Sequence, residues 1–202
     1  MNPRTAITRA ALLAASAITA ALLVASAASA ANTYRVELTN LRSGLRADVM
    51  WASTQPFQGV FLWPNNTSAS QEFDLLDSGN GYFRIRARHS GQCLMLDWRG
   101  GSYRNGTPVI QYPACAAGYA PAEWRRGWVS PRQSCSGGVC TTTGVQYPVL
   151  INRATGKCLD AANPAGGSPH AQAVLQQWDC IRSSDDWNAG NQLWRVGNES
   201  YL

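Results

Sequence analysis

The sequence has 202 residues, of which 14% are charged and 45% hydrophobic, with 8 Trp, 6 Cys and a formal net charge of +5. Aromatic content with so little charge excludes a disordered chain, and the length suits one domain of ordinary size. Sixteen of the seventeen basic residues are Arg, with Lys157 the only Lys, and they are scattered rather than gathered into a basic stripe, so no nucleic-acid partner is expected.

The chain opens with the pattern of a secretory signal peptide over residues 1–30. Arg4 and Arg9 flank a short polar start, residues 10–24 are almost all Ala, Leu and Ile, and Ala28-Ser29-Ala30 supplies a small-x-small cleavage site. Cleavage there leaves 202 − 30 = 172 residues with a formal charge of 5 − 2 = +3. No later stretch is apolar enough to cross a bilayer, so the mature protein is expected to be secreted and extracellular, without membrane insertion.

Residues 36–48 form the first β-prone run, followed by a Gly/Asn/Pro-rich loop, a second run at 60–63 and a third at 71–73. The order returns at 82–94, 109–112 and 122–124, and again at 147–159, 174–178 and 192–194. The second and third copies superpose from an aromatic start through a Ser/Thr-Gly turn to Cys93-Leu94 and Cys158-Leu159; the first has Arg46 where they have Cys. Three copies of short strands without a 3.6-residue period predict an all-β protein with pseudo-threefold internal repeats. The repeats cover about 34–80, 81–130 and 145–198, with an insertion at about 125–146. Arg84, Arg86 and Arg88 alternate along one strand and are expected to form a solvated face.

All six cysteines follow the leader, in a setting where pairing is expected. Cys93 to Cys115 and Cys158 to Cys180 are each 22 positions apart, while Cys135 and Cys140 bracket a short loop. Among the fifteen connectivities open to six cysteines, the repeated spacing favours Cys93–Cys115, Cys158–Cys180 and Cys135–Cys140. Each 22-residue bridge would contribute about 3 kcal/mol in the chain-entropy view. Neither His89 nor His170 joins a zinc-like cluster, so no metal and no cofactor is expected.

Cys158-Leu159-Asp160, then Gln176-Gln177-Trp178-Asp179-Cys180, then Asn191-Gln192-Leu193-Trp194 resembles the ricin B-chain type (QxW) lectin family. The resemblance implies a β-trefoil over residues 31–202, stabilised by disulfides, whose closing Trp124, Trp194 and Phe73 pack in the core. It further implies a carbohydrate site in the third repeat. There Asp160 would accept from two sugar hydroxyls with Gln176 near it, Trp178 would stack on the apolar sugar face, Asn191 would complete the hydroxyl contacts and Gln192 would hold Asp160 in place. The residue types suit the chemistry, since a pyranose presents hydroxyls to carboxylates and amides and a C–H face to a flat ring. The first repeat keeps Asp48, Trp63 and Gln71, with Phe61 for Gln and Ser70 for Asn, and implies a weaker site. The second has Met95, Pro113 and Pro121-Ala122 at the motif positions, leaving Gln111 alone, and is expected to be inactive unless Asp97 and Trp98 substitute. The long loop carrying Asp185, Asp186 and Trp187 would extend the third pocket or close it.

No catalytic residues are expected. A glycosidase needs two facing carboxylates, and nothing pairs Asp160, Asp179, Asp185 or Asp186 across a cleft; no nucleophile elbow or triad context is present. Asn65-Asn66-Thr67 and Asn105-Gly106-Thr107 are glycosylation sequons. Two functions therefore stand: a secreted lectin for galactose-type or related glycans or polysaccharides, and a docking or targeting subunit of a secreted toxin-type complex. In the second, Arg125, Arg126 and Trp128 would face another secreted protein.

Overall fold

The computed structural model describes residues 34–129, 146–163, 168–181 and 190–197 in full, and the backbone of 133–136, 139–142 and 189. The leader, the side chains of Cys135 and Cys140, and the loop with Asp185, Asp186 and Trp187 lie outside the described residues. Fifteen short strands appear among the described residues, and no helix there is long and apolar enough to cross a membrane.

Six barrel positions follow one another in space. β1 (Tyr34–Val36) pairs with β5 (Phe73–Gly79), β5 with β6 (Tyr82–Ala87), β6 with β9 (Glu123–Val129) and β9 with β12 (Tyr147–Asn152). β12 packs against β15 (Trp194–Val196), and β15 pairs with β2 (Leu38–Asn40), which completes the ring. Strand alternation sets the two faces: along β6, Ile85 and Ala87 point into the core while Arg84 and Arg86 point out. Three hairpins cap the barrel: β3 (Arg46–Val49) with β4 (Val60–Trp63), β7 (Cys93–Leu96) with β8 (Val109–Tyr112), and β13 (Cys158–Ala161) with β14 (Leu175–Trp178). Single bridges link them cyclically, Gly59 to Ile110, Pro108 to Gln176 and Val174 to Phe61. The fold is an all-β trefoil with pseudo-threefold symmetry.

The core lies where the barrel meets the caps. Phe73, Trp124 and Trp194 are fully buried there, among Leu38, Leu62, Leu94, Leu150 and Leu159. Buried indoles need an acceptor; Trp124 Nε1 donates to Leu94 O at 3.2 Å and Trp194 Nε1 to Leu159 O at 2.9 Å. Phe73 fills the same place in the first repeat without a donor.

The Cys93–Cys115 and Cys158–Cys180 bridges are present. The third pairing lies outside the described side chains, although the backbone sets Cys135 opposite Cys140 across the hairpin of β10 (Gln133–Ser136) and β11 (Val139–Thr142). Two expectations need correcting. Residues 125–129 are not insertion: β9 runs to Val129, held by β12 along its length, so the added hairpin starts later. Nor are Arg86 and Arg88 merely solvated. They grip Asp74 at 2.9 and 3.0 Å, while Arg84 donates to Ser78 Oγ and to the carbonyls of Asp77 and Cys115.

Trp194→Phe, which keeps the ring and removes the N–H, is expected to cost about 1 kcal/mol, and Trp194→Ala about 3–5 kcal/mol. Urea denaturation of the oxidised protein measures both.

Candidate functional site

The hairpin registers put three equivalent surfaces side by side. Asp160 stands opposite Gln176 and Cys158 opposite Trp178 in the third repeat; Asp48 opposite Phe61 and Arg46 opposite Trp63 in the first; Met95 opposite Ile110 and Cys93 opposite Tyr112 in the second. Tyr112, not Pro113, therefore holds the aromatic position of the second repeat. Gln111 corresponds to Gln177 rather than Gln176. Both are fully buried structural amides: Gln111 accepts from Ser90 Oγ and donates to the carbonyls of Ser53 and Gln55, and Gln177 accepts from Thr155 Oγ1 and donates to Arg104 O.

In the third repeat Asp160 is 5% exposed, and donors reach both of its oxygens: Gln176 Nε2 at 2.9 Å on Oδ1 and Gln192 Nε2 at 3.0 Å on Oδ2. Gln192 also donates to Asp179 O and accepts from the Ile181 N–H, so its amide is fully engaged. The first repeat rebuilds this clamp. Gln71 Nε2 donates to Asp48 Oδ2 at 2.9 Å and to Pro64 O, and its Oε1 accepts from the Asn66 N–H. In each clamp the carbonyl belongs to the residue after the site Trp and the N–H to the third residue after it. Burial drives the Asp160 carboxyl above its ordinary value, against the lowering effect of the two amide donors.

Beside Asp160, the Trp178 ring is 43% exposed, and Asn191 is buried with its Oδ1 unpartnered. Such an orphan acceptor is uncommon in a folded interior. The structure thus brings Asp160, Gln176 and Gln192 into one hydrogen-bonded group on the hairpin that also carries Trp178, with Asn191 next to Gln192 in the chain. In the first repeat Asp48, Trp51, Phe61, Trp63, Asn66 and Ser70 border a pocket of about 210 Å³. Trp51, three positions after Asp48, is a lining residue that its sequence context did not reveal. Its equivalents are Trp98 and Asn163.

Each surface also borders a loop of another repeat. Phe57 N–H donates to Gln111 O, Gly106 N–H to Gln177 O and Gln172 N–H to Leu62 O, so these three residues are equivalent, and all have positive φ, of 68°, 84° and 70°. Phe57 rests against Trp98 (ring centroids 5.6 Å apart) and Tyr112 (4.8 Å), above a floor of Met95, Ile110 and Ala122, with the Arg99 guanidinium over its ring. The second surface is thus filled by the protein's own side chain. Asp97 offers no substitute carboxylate there, because it is ion-paired with Arg99 at 2.7 Å, which holds it below its ordinary pKa. At the third surface the equivalent residue is Gly106, near Gln176 and Trp178 and without a side chain to fill the space. Asp179 is bound by Lys157 and Asn105, and among the described residues no group of three acidic, His or Cys side chains could hold a metal ion.

The family model for ricin-type β-trefoil lectin-domain-like proteins matches residues 23–112, which include the first clamp and, apart from Ala122, the residues of the filled second surface. Similar solved structures include the designed threefold-symmetric protein ThreeFoil, at 28% identity and TM-score 0.61, with 82% of this chain and 99% of that one covered. An exo-β-1,3-galactanase of Clostridium thermocellum matches at 26% identity and TM-score 0.59 over 81% of this chain, which spans only 30% of the galactanase. The Macrolepiota procera ricin B-like lectin, solved with lactose, shares the fold at 16% identity and TM-score 0.56, over 82% of this chain and 96% of the lectin. No curated protein sequence matches significantly. The trefoil, the repeated hairpin register and the match over residues 23–112 agree, so the chain is similar to the ricin-type β-trefoil lectin-domain-like family and shares its fold.

Proposed function

We propose that this protein is a secreted lectin that binds galactose-type glycans or polysaccharides mainly through its third repeat, with the first repeat as a second site. The observation that carries this reading is the paired clamp: a buried carboxylate held by a buried Gln, beside an aromatic ring, in the first and third repeats and not in the second. Each carboxylate oxygen has two acceptor positions, so Asp160 keeps capacity for two vicinal sugar hydroxyls after accepting from Gln176 and Gln192. A third hydroxyl would satisfy Asn191 Oδ1, and the Trp178 ring would cover the apolar face of the sugar. Because Gln192 fixes Asp160 beforehand, little side-chain freedom is lost on binding.

Galactose-type specificity is supported by neighbours of the same fold: the Macrolepiota procera lectin was solved with lactose, an earthworm R-type lectin half with GalNAc, and the Clostridium thermocellum neighbour is a β-1,3-galactanase. The reading is one of binding rather than bond cleavage. Hydrolysis of a glycoside requires a carboxylic acid and a facing second carboxylate, whereas Asp160 is fixed as an acceptor between two amides and Asp179 is tied to Lys157. The leader sequence supports export.

Asp160→Ala and Trp178→Ala are each expected to abolish retention on lactose resin while leaving the circular dichroism spectrum unchanged. Retention of both variants at the wild-type level would overturn the third-repeat site.

Retention should also be lost on acidification, at a pH above the usual range for an aspartate, because protonating Asp160 removes an acceptor. The raised folded-state pKa means that the folded protein takes up this proton more readily than the unfolded chain. Acidification through that pKa therefore favours folding as far as this group is concerned. Binding measured by calorimetry and melting temperature should accordingly separate between pH 7 and 4; parallel loss of both would contradict the assignment.

A second reading, docking to a secreted protein partner, rests on Trp128, half exposed on β9 beside the added hairpin, and on the shared fold of a module in a mosquitocidal holotoxin. Stoichiometric co-purification of another protein from culture supernatant, lost in Trp128→Ala, is its test.

A further inference from the structure

The two clamped carboxylates differ in one decisive respect. Asp160 receives amide donors on both oxygens, but Asp48 receives only Gln71, on Oδ2. Phe61 occupies the register position of Gln176, and among the described residues nothing donates to Asp48 Oδ1. Asp48 is nevertheless only 4% exposed. Buried carboxylates are normally compensated by a cation or by several donors. The nearest candidate, Arg46 on the same strand face, is spent on Glu37 and Asn65, and no Lys or Arg among the described residues is within 4 Å of Asp48.

The walls of this pocket are aromatic. Phe61 lies with its ring centroid 5.4 Å from that of Trp63 and 6.2 Å from that of Trp51. Trp51 is 78% exposed and its backbone is left-handed, with φ 61°. Bulky residues avoid that conformation, and where it persists it is concentrated at ligand clamps and switches. Comparison with the second repeat explains why the space is open. There the equivalent rings, Trp98 and Tyr112, hold Phe57 against them; here the residue equivalent to Phe57 is Gln172. The first repeat therefore keeps the aromatic walls, lacks the internal aromatic filler, and has an under-compensated carboxylate lining the space.

Aromatic faces and a carboxylate attract a cation from complementary directions, since the ring quadrupole is negative over its face. Asn66, Ser68 and Ser70 add polar groups to the pocket lining. Its volume of about 210 Å³ is below the range of drug-sized pockets and suits one small ring.

We propose that the first-repeat pocket binds an amino sugar with a free, protonated amine, whose ammonium group sits against Asp48 and the Trp51, Phe61 and Trp63 rings while its hydroxyls meet the Asn66, Ser68 and Ser70 side. The two sites then differ in ligand class, neutral sugar in the third repeat and cationic sugar in the first. This rests on the reading of the hairpin surfaces as sugar sites, but not on the third site being active.

The test uses the Trp178→Ala protein, in which the third site is silenced at an exposed residue. D-Galactosamine hydrochloride, D-galactose and N-acetyl-D-galactosamine are titrated by calorimetry at about pH 6, where the amine carries its proton. Galactosamine should bind at least roughly tenfold more tightly than either neutral sugar, the size expected for a partly desolvated cation–π contact joined to a charge pair. Asp48→Asn in the same protein should erase that preference. Phe61→Gln, which leaves Asp48 intact and restores the third repeat's arrangement, should reverse it toward galactose; melting curves check that each variant folds. Equal affinity for the three sugars, preference surviving in Asp48→Asn, or no galactosamine binding would overturn the proposal. Lactose retention by the wild-type protein is scored separately, so that its loss alone would count against the third site only.

Discussion

One tripeptide ties each cap to the barrel. In the third repeat Gln192-Leu193-Trp194 is fastened at both ends to adjacent residues of β13: the Gln192 amide to the Asp160 carboxylate and the Trp194 indole N–H to the Leu159 carbonyl. The first contact orients a buried carboxylate at the proposed sugar surface and the second seats the central core, so a single segment couples the stability of the trefoil to the geometry of that hairpin. Both are buried hydrogen bonds whose loss would leave an unpaired polar group, which is costlier than the net value of the bond suggests.

The other two repeats have each kept half of this device. In the first, Gln71 still holds Asp48, but Phe73 contributes only packing at the indole position. In the second, Trp124 still donates to Leu94 O, but Ala122 and Met95 replace the amide and carboxylate, and the surface has become an apolar cluster covered by Phe57. Core and site have thus drifted separately within one symmetric fold. Neighbouring repeats take part in this divergence: the positive-φ position before each second hairpin strand holds Phe57 at the filled surface and Gly106 at the open one.

Much of this was legible in the residues themselves. The twin 22-residue cysteine spacings set the register of the second and third repeats and pointed to an all-β chain of three copies. The trefoil, the roles of Asp160 and Gln192 and the packing of Phe73, Trp124 and Trp194 came from the family resemblance carried by the third copy, and the structure shows the trefoil, the Gln192–Asp160 contact and the burial of all three rings. Errors arose where a choice depended on cross-strand register. The third repeat has adjacent Gln176 and Gln177, only one of which faces Asp160, and matching the lone Gln111 to the wrong member moved the expected aromatic from Tyr112 to Pro113. Arg86 and Arg88 looked solvated because Asp74 is 12 and 14 positions earlier and meets them only through strand pairing. Trp51 gave no signal because its importance lies in a backbone conformation that no local pattern prescribes, and Phe57 because the groove it fills belongs to the next repeat.

The central claim, that a clamped carboxylate on the third hairpin is the main sugar-binding surface, is tested most directly by following side-chain N–H resonances during a lactose titration of the ¹⁵N-labelled protein. The account predicts saturable shifts for the Gln176 and Gln192 amides and the Trp178 indole, with the buried Trp124 indole unmoved. Shifts confined to the second repeat or to the outer barrel strands, with those three resonances unchanged at saturation, would contradict it.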